Sequence, residues 1–161
     1  MSLTRKKPWN RPALPVYSVS SQGTRPNMHI CTYVSSVSMQ PKRIMVALYK
    51  GTLTLTNAQQ TRQMVLQLLD EKQYNLVSLL GKKSGLQVDK IARLEKRKLL
   101  TQWQGYAILH QCLAVMLLQV LESLDAGDHI MMLCEVTAYT NLNNGDVLTT
   151  HYLHEKGIIS A

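Results

Sequence analysis

The sequence predicts a mainly β fold, a small β-barrel with short helical insertions, on three observations. Segments that are β-branched, aromatic or continuously apolar recur along the chain, at 28–38, 44–49 and 64–69. The last third holds a long hairpin, 112–124 and 129–139, joined by the tight polar turn Asp125-Ala126-Gly127-Asp128. Helical spacing occurs only in short inserts, and no regular strand–helix alternation builds βαβ units.

Residues 1–15 are rich in Pro and basic side chains and have no period, which predicts an extended arm that orders only against something else. A single domain is expected over 16–161. It starts with a short strand at 16–20 and a loop over 22–27 that contains Gly23 and Pro26. The strand-like run 28–38 is closed by Gln40-Pro41. Residues 44–49 form a short apolar run, the pattern of a strand covered on both faces, and Lys50-Gly51 ends it. A weak helix is expected over 54–62 and a strand over 64–69. Residues 74–80 are apolar at helical spacing and stop at Gly81, a residue suited to the left-handed C-terminal position. A second short helix over 87–94 would align Val88, Ile91 and Leu94 on one face. Beyond the hairpin, Asn143-Asn144-Gly145-Asp146 signals a turn and 147–153 a short final element. There is no internal repeat or low-complexity tract.

The length of 161 residues suits one domain, and 45% hydrophobic against 17% charged residues is a globular composition far from disorder. The longest unbroken apolar run, 112–118, is well short of the ~18–20 residues of a membrane-spanning helix. Arg5, Lys6, Lys7 and Arg11 are followed by Pro8, Trp9, Asn10 and Pro12 where a secretory signal needs an apolar stretch, so an unprocessed cytoplasmic chain is expected. Cys31, Cys112 and Cys134 have no metal-ligand spacing and read as buried thiols; no metal site is expected. A net charge of +8 suits nucleic acid, an anionic cofactor or a plain basic surface, and does not choose among them.

Three segments carry candidate chemistry. Residues 27–38 place Asn27, Thr32, Ser35, Ser36 and Ser38 along one strand and the turn into Pro41, where small polar groups let backbone approach a planar ligand and offer neutral donors to phosphate. An edge strand whose hydroxyls merely face water gives the same pattern. Just behind Lys50, Thr54 and Asn57 stand at a Thr-x-x-Asn spacing at the start of a helix, where free N–H groups and the dipole favour an anion. Thr54 is equally an ordinary N-cap, and on spacing alone that reading is favoured. Gly127-Asp128-His129 opens the last long strand, where the imidazole is either solvated or aimed into a site. Basic residues cluster between Lys82 and Lys98, a pattern that nucleic-acid binding and a solvated helix face share. Nucleophile elbow, Walker loop, dinucleotide Gly-x-Gly-x-x-Gly and His-rich metal motifs are lacking, which points to chemistry supplied by a bound cofactor.

Taken in order, these segments resemble the flavin reductase-like family with the FMN-binding split-barrel fold. Asn27-Met28-His29-Ile30-Cys31-Thr32-Tyr33-Val34-Ser35-Ser36-Val37-Ser38 followed by Pro41 is similar to its flavin-binding strand and turn. Lys50 with Thr54 and Asn57 resembles its phosphate element, and Gly127-Asp128-His129 its Gly-Asp-His signature. The resemblance runs from about Val16 to the end; Pro41-Lys42 and Cys134 depart from the family's usual Pro-Pro pair and glycine.

The resemblance implies a split β-barrel that binds FMN. Met28, Ile30, Cys31 and Thr32 would lie along the isoalloxazine ring, and Asn27 would also bind the cofactor. Ser35, Ser36 and Ser38 would reach the ribityl chain and phosphate with Lys50, Thr54 and Asn57, and His129 would stand near the ring or an approaching nicotinamide. It further implies a homodimer with flavin near the interface, and NAD(P)H as substrate for a flavin reductase-like oxidoreductase. The alternatives are an FMN-bound electron-transfer protein, flavoredoxin-like, serving a redox partner protein without its own NAD(P)H activity, and, more remotely, a basic nucleic-acid-binding module.

Overall fold

The computed structural model describes residues 2–160; Met1 and Ala161, the ends of the expected arm and domain, lie outside them. In chain order the elements are β1 (Tyr17–Ser21), β2 (Asn27–Cys31), β3 (Val34–Ser38), β4 (Arg43–Tyr49), α1 (Leu53–Thr61), β5 (Gln63–Leu68), α2 (Val77–Lys82), α3 (Lys90–Lys96), β6 (Leu100–Trp103), β7 (Tyr106–Leu109), β8 (Ala114–Asp125), β9 (His129–Asn141) and α4 (Thr150–Glu155). Short 3-10 turns occupy Pro8–Asn10 and Glu71–Leu76.

Seven strands form one antiparallel sheet in the order β2-β1-β5-β8-β9-β4-β3, and β6 and β7 form a separate hairpin. Period-two alternation gives the sheet two apolar faces. Val19, Ile44, Val46, Leu48, Met64, Leu66, Leu118, Val120, Met132 and Cys134 fill the barrel interior, joined by Leu55 and Ala58 of α1. Met28, Val65 and Val115 point the other way, into a second core with Val77 and Leu80 of α2, Leu94 of α3 and Ile108 of β7. Strands β1, β2 and β5 are thus covered on both sides, whereas β4, whose apolar run 44–49 suggested cover on both faces, alternates buried with half-buried or exposed positions. Register shifts at Leu117/Leu118 and between Val120 and Glu122 bend the β8–β9 hairpin around the barrel.

The structure differs from the sequence reading at four places. The run 28–38 is two strands, broken at Thr32-Tyr33, and these strands are the two outer edges of the sheet. Gly81 lies inside α2 against Ile30, and the helix ends at Lys83 in extended backbone. The β6–β7 hairpin turns through Gln104 and Gly105, both at positive φ, 52° and 80°, a two-residue turn of the kind that matches strand twist. The final segment is an isolated pairing of Val147 with Asp70 followed by α4. No helix among the described residues is long and apolar enough to cross a membrane.

The arm is pinned where it meets the domain: Leu14 N–H donates to Thr150 Oγ1 at 2.9 Å and Pro15 pairs with Thr149. The three thiols are buried, and that burial pushes each from 9.0 up to about 12. Unfolded thiols ionise from about pH 9 while the native ones stay neutral, so their contribution to stability is complete below pH 9 and is lost as pH rises toward 12. At pH 8 a thiol reagent should label none of the three in the native chain and all three in denaturant; rapid native labelling would contradict this packing.

Candidate functional site

The site follows from how the barrel closes. On β4, pairing with β3 ends at Val34–Val46, so positions 47–49 keep β9 on one side and no strand on the other. Strand β2 pairs with β1 on one side only. The two unpaired edges face each other across a seam. One end of the seam is fastened: Ala47 N–H donates to Tyr33 O at 2.9 Å, and the Cys31 thiol to Ala47 O at 3.5 Å. Beyond it a cavity of about 250 Å³ opens between His29, Thr32, Tyr33, Ala47, Tyr49 and His129. His29, Tyr49 and His129 also line a cavity of about 470 Å³ that reaches Asn27, Lys50 and the 82–85 loop. Half the backbone groups of an edge strand point away from its neighbour, so the seam offers N–H and C=O groups to a ligand.

Alternation on β2 points Met28 into the outer core and leaves Asn27 and His29 on the groove. Behind His29, Lys90 of α3 is 1% exposed; its Nζ donates to Leu80 O at 2.7 Å and lies 3.3 Å from His29 Nδ1. Burial first, and the Lys90 charge second, lower His29 to about 4. Opposite, the His129 ring sits between Tyr33 and Tyr49, with centroids 5.0 and 5.2 Å away, and its Nδ1 is 2.6 Å from Asp128 Oδ1. Lys50 Nζ donates to both Asp125 oxygens at 2.8 and 2.9 Å, and Lys50 N–H to Asp128 O at 2.9 Å, which ties the chain after β4 to the hairpin tip. That ammonium, and then the Gly127 N–H, hold the Asp125 carboxyl below its ordinary value. At the mouth, Lys82 donates to Ile158 O at 2.7 Å, while Lys83 has no hydrogen-bond partner among the described residues. The loop is latched by the Arg25 guanidinium on Gly85 O. Gly85 is required there, because a Cβ would sit 2.5 Å from Asn27 Oδ1.

The groove brings together Asn27, Ile30, Cys31, Thr32, Lys50 and His129 of the expected site residues. Met28, Ser35, Ser36, Ser38, Thr54 and Asn57 are not on it. Ser35, Ser36 and Ser38 lie on β3 at the far edge, where the Ser36 hydroxyl accepts from Lys42 Nζ at 3.1 Å. Thr54 and Asn57 are fully buried beneath Asn27. Thr54 Oγ1 accepts from Asn27 Nδ2 at 2.9 Å; Asn57 Nδ2 donates to Arg25 O at 2.8 Å and Ser21 Oγ at 3.2 Å, and its Oδ1 accepts from Thr24 N–H at 3.2 Å. The cap of α1 is Thr52, whose Oγ1 accepts from Leu55 N–H, so Thr54 is neither cap nor groove lining. His29, Tyr33, Tyr49, Lys83 and Ser84 line the cavities without having been singled out in the sequence; the odd-numbered alternation 27, 29, 31 was the signal for the first.

Asn57 therefore organises the 21–27 loop that carries Asn27. Asn57→Ala should lower stability by about 1–3 kcal/mol in denaturant unfolding and speed amide exchange at Thr24. An unchanged midpoint with unchanged exchange would contradict the assignment.

Residues 9–156 match the flavin reductase like domain. No curated protein sequence matches the chain. Solved structures share the architecture. BorF, the flavin reductase component of a bacterial two-component tryptophan halogenase, is 18% identical with TM-score 0.78, each chain covered over 90%. The FMN-binding protein from Thermus thermophilus is 22% identical with TM-score 0.73, over 87% of this chain and 79% of that one. The Streptomyces globisporus NADH:FAD oxidoreductase SgcE6 is 15% identical with TM-score 0.78, over 88% and 83%. With the domain match spanning nearly the whole chain and the barrel split along one seam, this protein belongs to the flavin reductase-like family.

Proposed function

We propose that the chain binds FMN non-covalently in the seam and reduces it with hydride from NAD(P)H. The observation that carries this is the pair of unpaired strand edges opening into a cationic mouth. A planar ring rimmed by nitrogen and carbonyl groups suits backbone edges that lack a strand partner. A phosphate suits Lys83, which has no hydrogen-bond partner among the described residues, beside the Ser84 hydroxyl. The cavity of about 470 Å³ falls in the size range of cofactor sites, and the one of about 250 Å³ adjoins it through three shared lining residues.

When bound, the flavin supplies the hydride and electron chemistry that the side chains lack. The residues do the rest. The β2 edge at Ile30 and the adjoining Thr32 orient the ring, Tyr33 and Tyr49 restrict water, and Lys83 with Ser84 holds the phosphate. His129, its Nδ1 held by Asp128, keeps Nε2 free to take or give a proton. Lys50 is engaged by Asp125, so its part is to fix the groove wall. Exposed apolar side chains such as Tyr139, Leu124 and Met39 support contact with a second copy. The basic run from Lys82 to Lys98 is not one continuous surface, because Lys90 is buried beneath β2 and Lys82 and Lys83 belong to the groove mouth.

The purified chain should be yellow or turn so with FMN. Lys83→Ala should weaken FMN binding about tenfold while riboflavin, which lacks the phosphate, binds as before. A colourless chain that takes up no FMN contradicts the reading. Equal losses for FMN and riboflavin remove Lys83 from the phosphate site. Oxidation of NADH or NADPH in excess FMN then separates reductase from electron carrier: no turnover with reducible bound flavin selects the carrier.

A further inference from the structure

The groove leaves one buried cation without a task. Lys90 is 1% exposed, and an ammonium out of water is costly unless its donors are used. None of the ion pairs among the described residues involves it. Its contacts are Leu80 O at 2.7 Å and His29 Nδ1 at 3.3 Å. Burial lowers it from 10.5 to about 8, so near neutrality it is still an ammonium, and an ammonium only donates. His29 Nδ1 must then accept, which puts the ring's proton on Nε2.

Across the seam the arrangement is reversed. His129 Nδ1 faces a carboxylate oxygen of Asp128 at 2.6 Å, and a carboxylate only accepts. Nδ1 therefore carries a proton, and in its neutral form the ring presents a lone pair at Nε2. Both histidines line both cavities. The charges behind them, one positive and one negative, set their groove-facing nitrogens to opposite hydrogen-bond polarity.

We propose that Lys90 is a positioning residue that locks His29 in the Nε2–H form, so that His29 donates a hydrogen bond to an acceptor oxygen of the bound flavin while His129 offers an acceptor nitrogen. This rests on the flavin reading of the groove and adds to it a fixed donor that cannot turn into an acceptor. Among the described residues, Lys90 is the hydrogen-bond partner of the His29 ring; Asn27 turns its Nδ2 to Thr54 instead.

The test has two arms. Ring-nitrogen NMR of the unmodified, flavin-free chain at pH 7 should show His29 as the Nε2–H tautomer. The Nδ1–H tautomer, an even mixture or a doubly protonated ring overturns the proposal, whether or not any variant folds. In the second arm, Lys90→Met should give a mixed His29 tautomer and FMN binding weakened roughly three- to tenfold by flavin fluorescence, and Lys90→Arg, which also only donates, should restore both. Unchanged tautomer and affinity in Lys90→Met overturns the role of Lys90 while FMN binding by the unmodified chain leaves the flavin reading standing. If the unmodified chain binds no FMN, that reading falls and the donor role falls with it.

Discussion

The barrel cannot zip shut, and the site exists because of that. Strands β2 and β3 are consecutive in sequence yet form opposite edges of the seven-stranded sheet, so the chain must cross the seam at Thr32-Tyr33. The crossing fastens one end through Ala47, and beyond it β3 has left β4, so Leu48 and Tyr49 have β9 on one side and no strand on the other. Unpaired strand edges that face solvent are a template for association. Here they face each other across a groove without pairing, and the proposed occupant is a flat, polar-rimmed molecule. The two cores hold this gap rigid, the barrel core on one side of β2 and the helical layer on the other.

Charge in the groove is arranged by position rather than by sum. Lys50 is matched by Asp125 on an exposed hairpin tip, where the pair contributes little to stability and mainly sets geometry. Lys82 is spent on a backbone carbonyl, which leaves Lys83 as the mouth's available cation. Lys90 is withdrawn from solvent altogether. The net +8 of the chain therefore says less about its ligand than these individual placements.

The fold was largely legible because the strands alternate and the 112–139 hairpin is long. What failed had physical causes. A continuous run at 28–38 hid a change of sheet edge, since period alone does not show where a strand leaves its neighbour. The β6–β7 hairpin was missed although Leu-Thr-Gln-Trp and Tyr-Ala-Ile-Leu flank a Gln-Gly turn, because only two residues mark it. Of the polar residues singled out in the sequence, Asn27, Thr32, Lys50 and His129 line the groove, while Ser35, Ser36, Ser38, Thr54 and Asn57 do not. Thr54 and Asn57 act one layer down, holding the loop on which Asn27 sits. His29 and Lys90 are 61 residues apart, a pairing that no local spacing reveals.

The central claim is that the open seam is where the flavin lies. Amide hydrogen exchange with and without FMN tests it most directly. The account predicts added protection confined to 27–33, 47–53, 82–85 and the start of β9 at His129. Protection centred elsewhere, such as the β6–β7 hairpin or the exposed face of β3, or none despite bound FMN, would contradict it.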